Sequence, residues 1–129
     1  MSQAELLSII ESPAHPDFSA LYQRLGYREQ RVNSQRKAMA VVKKNPPAVI
    51  VAEFIYGWGN NYAGINKSNL DILLIHLARY APETRVIVLV PKDEQRFVDD
   101  SLGHLPLQPA AVLVLPVDEK EMETALKGN

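Results

Sequence analysis

The sequence predicts an α/β domain in which a five-stranded parallel sheet, with strand order 2-1-3-4-5, is doubly wound and carries helices on both faces. Three apolar runs rich in Val, Ile and Leu lack the alternation of half-exposed strands and therefore suit strands buried on both faces. They are Ala48 to Phe54, Arg85 to Val90 and Ala111 to Leu115. Helical patterns lie between these runs, which is typical of right-handed crossovers. A length of 129 residues with 47% hydrophobic residues indicates one domain over 1–129.

The first strand of this arrangement is open to two interpretations. Leu6 to Ile10 form a short apolar run, and the following Pro13 and Pro16 suit a loop from a strand to a helix. Ser2 and Glu5, however, match a capping box, and the composition favours a helix. Residues 2–11 are therefore either the first strand or a helix. The five-stranded fold requires the strand.

The remaining elements are predicted from their boundary residues. Gly26 ends the first helix in a left-handed conformation, and Tyr27 to Val32 form a polar strand that suits a sheet edge. The predicted N-terminal caps of the five helices are Asp17, Ser34, Ser68 with Asp71, Asp93, and Asp118 with Glu121.

Composition excludes several classes of function. Fourteen Lys and Arg against fifteen Asp and Glu give a net charge of -1, which supplies no basic field for nucleic acid. The absence of cysteine excludes disulfides and thiol catalysis. No basic region precedes the apolar run at the amino terminus, so we expect no secretory signal, no membrane partner and a cytoplasmic location. No metalloprotease, phosphate-loop or nucleophile-elbow string occurs. We therefore expect no enzyme activity, cofactor or metal, although His15 stays open as a weak metal ligand or a surface histidine.

Five strings resemble, in order, a response-regulator receiver domain of the flavodoxin-like fold. They are LLSIIESP, LGYREQRV, AMAVVKKNPPAVIVAEF, TRVIVLVPKDE and VLVLPVDEKEM, and together they cover nearly the whole chain. The resemblance implies two-component signalling and a phosphorylation site at the carboxyl ends of the strands. The family's phosphoacceptor corresponds to Glu53, its acidic pair to Glu11 and Ser12, its hydroxyl to Val90, its lysine to Leu115 and its cis-proline to Pro116.

These positions depart from what the resemblance requires. Val90 cannot donate a hydrogen bond to a phosphoryl oxygen, and Leu115 carries no charge to pair with one. Glu53 is one methylene longer than aspartate, which misplaces its oxygens. The chain is therefore predicted to be a pseudo-receiver, an atypical receiver that binds proteins without phosphorylation. Glu53 is then either a fixed negative charge or part of a frozen switch. The alternative is that the chain is still phosphorylated in a magnesium-dependent reaction. The apolar side chains of Val90 and Leu115 argue against this alternative.

The segment 55–68, IYGWGNNYAGINKS, is longer than the family's usual loop. Its aromatic and asparagine side chains lie after the third strand, where open parallel sheets bind their ligands. It is predicted to bind a protein partner or, as a small-ligand sensor, to stack a ligand on Trp58. The other interpretation is a structural lid. The candidate contact residues are Tyr56, Trp58, Asn60, Asn61 and Tyr62. A homodimer is also expected, through the apolar fifth strand.

Overall fold

The computed structural model describes residues 4–57 and 68–128. The strands are β1 (Ala4–Ile9), β2 (Tyr27–Val32), β3 (Val49–Glu53), β4 (Arg85–Val90) and β5 (Ala111–Val114). The helices are α1 (Ser19–Arg24), α2 (Gln35–Lys44), α3 (Asp71–Tyr80), α4 (Val98–Leu102) and α5 (Glu119–Lys127), and a 3₁₀ helix at Lys92–Phe97 precedes α4. Among the described residues, no helix is both long enough and apolar enough to span a bilayer.

The strands form one parallel sheet in the order β2-β1-β3-β4-β5, which confirms the predicted fold class. Residues 4–9, whose local sequence suits a helix equally well, form a strand in the sheet interior, paired with β2 on one side and β3 on the other. Leu6, Leu7 and Ile9 are almost fully buried there. Pairing on both edges and burial on both faces outweigh the helical capping signal.

Two apolar layers enclose the sheet. The first contains Ala38 and Val42 of α2, Leu102 of α4 and the inner leucines of α3. The second contains Leu21 of α1 and Met122 of α5. Helices therefore cover both faces, and every residue of β3 is buried between them. The rigid central strand β3 positions Glu53 at its carboxyl end.

Several predicted boundaries are confirmed. The Ser34 side chain caps α2 by accepting a hydrogen bond from the Lys37 amide at 3.1 Å. Asp118 and Glu121 form a complete capping box at the start of α5. Gly26 has a φ of 91°, the left-handed conformation predicted for the residue that follows α1.

Three other boundaries were wrong. Phe18, not Asp17, is the cap residue of α1, although Asp17 Oδ1 accepts a hydrogen bond from the Ser19 amide at 3.0 Å. Helix α3 begins only at Asp71, because the Ser68 hydroxyl donates to the Asp71 carboxylate and accepts from the Leu70 amide inside a turn. The helix predicted from Asp93 is a 3₁₀ helix followed by the short α4.

The Asp93 side chain caps neither of the two helices in that segment. The neighbouring Glu94 carboxylate accepts a hydrogen bond from the Tyr56 amide at 3.0 Å instead of capping a helix. Phe97 and Val98 pack against the core. A tertiary contact and burial therefore decide the local geometry here, since no cap favours a regular α-helix.

Candidate functional site

The candidate site lies at the carboxyl ends of β1 and β3. The loop after β1 carries Glu11, Ser12 and His15, and Glu53 is the last residue of β3. Parallel strands that pair directly end at the same edge of the sheet, so the loop passes over the Glu53 side chain. The structure thus brings together Glu11, Ser12 and Glu53, as the sequence predicted. His15, for which the sequence leaves a weak metal ligand or a surface histidine open, lies beside them with its side chain buried against Glu53.

The Glu53 carboxylate is held by donors from this single loop. Its Oε2 atom accepts hydrogen bonds from the amides of Glu11 at 2.7 Å and Ser12 at 3.2 Å, and it lies 3.0 Å from His15 Nδ1. Its Oε1 atom accepts a hydrogen bond from the Ser12 hydroxyl. Both carboxylate oxygens are therefore engaged within the protein.

Burial and hydrogen bonding act in opposite directions on this carboxyl group. The side chains of Glu53 and His15 are only 5% and 2% exposed, and burial acts to raise the pKa of Glu53. The hydrogen bonds from His15, Ser12 and the Glu11 amide together outweigh burial and hold the pKa below its ordinary value. Glu53 is therefore ionised at neutral pH, with its charge compensated inside the loop.

A second set of contacts fixes Glu11 above the same strand ends. Its Oε1 atom accepts hydrogen bonds from Gln35 Nε2 at 2.7 Å and from Asn69 Nδ2 at 2.8 Å. Asn69 Nδ2 also donates to the Glu53 carbonyl at 2.7 Å, and Asn69 Oδ1 accepts from the Ile55 amide at 2.8 Å. Asn69 is 4% exposed. It therefore ties the β1 loop to the end of β3.

Gln35 and Asn69 were not predicted to be site residues. Neither residue belongs to a recognisable motif, and 58 positions separate Asn69 from Glu11. Asn69 follows Ser68, which was interpreted as a helix cap. Only the tertiary fold brings their amide groups to the strand ends.

The two carboxylates are the oxygen ligands that a divalent cation would use at this edge. Glu53 already accepts the loop's hydrogen bonds on both oxygens, and Glu11 Oε1 accepts two more. No cluster of three or more His, Asp or Glu residues suited to a metal occurs in the part of the chain that the structure describes. A cation at this edge would share these two carboxylates with the hydrogen bonds that they already accept.

The other positions of the predicted site are apolar. Val90, the last residue of β4, is fully buried, and its carbonyl accepts a hydrogen bond from the Leu115 amide at 2.9 Å. Leu115 is half-buried and packs against the core layer that contains α1 and α5. The Leu115-Pro116 peptide bond is cis. Neither the Val90 nor the Leu115 side chain can donate a hydrogen bond or supply a positive charge near Glu53.

Of the predicted loop contacts, the structure describes Tyr56. Its ring is 36% exposed and stacks on Phe97 with the ring centroids 4.1 Å apart. Tyr56 thus packs against its own domain and keeps one third of its surface open. Trp58, Asn60, Asn61 and Tyr62 lie outside the described residues. Partner or ligand binding by this segment stays a prediction.

Comparison with solved structures identifies the fold to which this site belongs. The receiver domain of a sensor histidine kinase from Pseudomonas aeruginosa, solved with magnesium in its active-site cleft, matches with a TM-score of 0.69 and 14% identity over 98% of this chain and 96% of that one. A chemotaxis response regulator of Vibrio cholerae matches with a TM-score of 0.69 and 15% identity over 98% of both chains. This chain has the receiver fold.

A third receiver domain, from a signal transduction histidine kinase of Syntrophus aciditrophicus, matches with a TM-score of 0.69 and 18% identity over 96% of this chain and 87% of that one. No family model matches the sequence, and no curated protein is significantly similar to it. This chain is therefore similar in fold to these three receiver domains over most of their length. The low identities leave the chemistry of the site to be argued from its own residues.

Proposed function

We propose that this chain is a receiver-like signalling module that binds protein partners and does not use phosphorylation of residue 53 as its switch. The observation that carries this proposal is the Glu53 carboxylate, whose two oxygens accept the hydrogen bonds of the β1 loop. An oxygen that is buried and hydrogen-bonded in this way is a poor nucleophile towards phosphorus. We further propose that this chain has no enzyme activity and is located in the cytoplasm.

Two further features support a frozen switch over a fixed activating charge. The lowered pKa of Glu53 keeps its charge, but that charge is almost fully buried and faces the loop donors. A phosphoryl group at this position would also find the apolar side chains of Val90 and Leu115 where the receiver resemblance requires a hydroxyl and an amine. The site therefore lacks the hydroxyl and the amine that would interact with a phosphoryl group and respond to its charge.

A direct test is treatment with acetyl phosphate, and separately with beryllofluoride, in the presence of magnesium. We expect no mass increase on acetyl phosphate treatment and no change in the backbone amide chemical shifts of residues 11, 12, 14, 15 and 53 with beryllofluoride. A phosphorylatable chemotaxis response regulator, treated in parallel, controls for the reagents. A stable magnesium-dependent adduct that is lost in Glu53→Gln would contradict the proposal.

We also propose that the module pairs with a second copy through β5. This strand lies at the sheet edge opposite β2, and Val112 on it is 39% exposed. Its free edge is apolar, whereas the β2 edge carries the exposed charges of Arg28 and Arg31. Charged edge strands resist pairing with other chains, and an apolar edge lacks this protection.

Sedimentation velocity tests the dimer. We expect a reversible dimer at high micromolar concentration, and we expect Val112→Lys to remove it by placing like charges across the two-fold axis. Arg28→Lys on the opposite edge keeps the charge there and serves as the control. A wild-type protein that stays monomeric at high micromolar concentration would rule out this interface.

A further inference from the structure

The outer surface of helices α2 and α3 combines apolar side chains with positive charge. On α3, Ile72, Ile75 and Tyr80 are 45%, 46% and 45% exposed. Ile72 and Ile75 are three residues apart and therefore neighbours on the helix surface, and Tyr80 is the last residue of the helix. We call this surface the α2–α3 face. Its members are Ile72, Ile75, Arg79 and Tyr80 on α3 and Arg36 and Lys43 on α2.

The exposed isoleucines are not needed by the core. Leu73, Leu74 and Leu77 of α3 are fully buried against the sheet, and α2 packs beside them. The inner stripe of α3 is therefore complete, and Ile72 and Ile75 form a second apolar stripe on its solvent side. Single exposed apolar residues are ordinary, but the neighbouring Ile72 and Ile75 and the exposed Tyr80 of the same helix together indicate a contact surface.

The positive charges on this face form no ion pair with a carboxylate in residues 4–57 or 68–128. Among the ion pairs of the described residues, none includes Arg36, Lys43 or Arg79. In the same part of the chain, Arg24, Arg28, Arg31 and Lys127 all pair with acidic side chains. The one carboxylate within α2 and α3 is Asp71, which is buried and accepts hydrogen bonds from serine hydroxyls.

Tyr80 joins the two helices at this face. Lys43 Nζ lies 5.5 Å and Arg79 Cζ 5.4 Å from the centroid of the Tyr80 ring, and the His76 ring lies 4.6 Å from it. Burial and then the charges of Lys43 and Arg79 lower the pKa of His76, so this histidine stays neutral and adds no charge. The ring thus holds two cations beside the apolar stripe.

We infer that the α2–α3 face is a docking site for an acidic amphipathic helix of a partner protein. An apolar helix face would cover Ile72 and Ile75, and flanking Asp or Glu side chains would pair with Lys43, Arg79 and Arg36. This inference rests on the proposal that the domain acts by binding proteins, and it names the surface and the chemistry of the partner.

Other occupants match the face less well. The segment 58–67 of this chain contains no Asp or Glu, so it does not complement the cations. A second copy that presents the same face would bring like charges together. Three cations around an apolar stripe make few phosphate contacts, and nucleic-acid binding of useful strength needs more of them. An anionic bilayer is distinguished from a protein helix by experiment.

The test uses a synthetic helical peptide of about 18 residues, long enough for a stable helix when stapled, with leucines on one face and glutamates on its flanks. Two matched peptides replace the glutamates by lysines or scatter the leucines around the helix. We expect the acidic amphipathic peptide alone to shift the amide signals of α2 and α3. Its affinity falls as salt is raised.

Matched variants locate the binding. Lys43→Glu/Arg79→Glu and Ile72→Ser/Ile75→Ser are each expected to weaken the peptide's binding about tenfold or more. Lys92→Glu/Lys120→Glu changes the net charge equally at exposed lysines elsewhere and is expected to alter the affinity less than about twofold. Chemical shift dispersion of each variant confirms that it is folded.

Several results would overturn the inference. The first is that the acidic amphipathic peptide does not bind the domain. The second is that the peptide with scattered leucines binds equally well, and the third is that the affinity of the acidic peptide is unchanged in both α2–α3 variants. Binding of phosphatidylserine vesicles, or self-association, that is lost in the same variants would assign the face to a membrane or to a second copy.

Repeating the titration with beryllofluoride and magnesium separates this inference from the proposed phosphorylation independence. Peptide binding that requires this phosphoryl mimic contradicts phosphorylation independence, whereas mimic-independent binding at another surface contradicts only the α2–α3 site.

Discussion

Replacing Glu53 by alanine is expected to lower the free energy of unfolding by about 3 kcal/mol. The change leaves the amides of Glu11 and Ser12, the Ser12 hydroxyl and the His15 ring without their common acceptor. Buried donors without an acceptor cost about 1–3 kcal/mol each, and water that enters the site recovers part of this loss. Urea denaturation measures the change, with Glu83→Ala, at an exposed glutamate, as the control.

The acid dependence of stability provides an independent check on this network. The pKa of Glu53 in the folded protein lies below the ordinary 4.5, so the unfolded chain binds the proton more tightly. The stability that Glu53 contributes is therefore fully present above pH 4.5 and is lost as the pH falls through the folded-state pKa. We expect the difference in unfolding free energy between wild type and Glu53→Gln to shrink below pH 4.5.

The Glu53→Ala variant can also contradict the proposed network. A decrease of less than about 1 kcal/mol in its free energy of unfolding would show that the loop does not depend on this carboxylate.

The substitution Asn69→Asp is expected to cost about 4 kcal/mol of stability at neutral pH. It replaces the amide that donates to Glu11 Oε1 and to the Glu53 carbonyl by a carboxylate that can only accept. A buried negative charge then faces the oxygens of Glu11 and Glu53, and the Ile55 amide that it keeps as a donor compensates only part of this repulsion. Asn33→Asp, at an exposed position, makes the same chemical change as a control.

The pH dependence of this variant is expected to be opposite to that of Glu53. Repulsion and burial raise the folded-state pKa of the new carboxyl group above its unfolded value, so stability is lost as the pH rises through that pKa. We expect Asn69→Asp to regain stability relative to wild type as the pH is lowered from neutral towards about 5. A pH-independent loss below about 1 kcal/mol would show that Asn69 is dispensable for holding Glu11.

Local chemistry along the chain predicted most of the architecture, although it left the first strand open. The apolar runs that form β3, β4 and β5 are rich in Val, Ile and Leu and predict strands buried on both faces of a covered parallel sheet. The structure confirms this burial for β3 and β4, whereas β5 lies at the sheet edge and its four residues are only partly buried or exposed. Ser34, the Asp118 capping box and Gly26 act on backbone groups within a few residues of themselves. Features whose physics is local in sequence can be predicted from sequence.

The resemblance also predicted which residues meet at the strand ends, because the fold places Glu11, Ser12 and Glu53 there whatever their side chains do. It did not predict how they interact. Sequence alone leaves Glu53 either a fixed negative charge or part of a frozen switch. The contacts of its two oxygens with the β1 loop support the frozen switch that we propose.

The tertiary structure alone decided the features that depend on distant partners. Residues 4–9 become a strand because β2 and β3 pair with both of their edges, a long-range gain that exceeds a local helical preference. Asn69 joins the site because its amide meets groups 16 and 58 positions away. The segment after Asp93 forms a 3₁₀ helix and the short α4, with Glu94 bonded to Tyr56. Hydrogen bonds between distant residues leave no periodic or neighbouring pattern in the chain, so the folded structure alone reveals them.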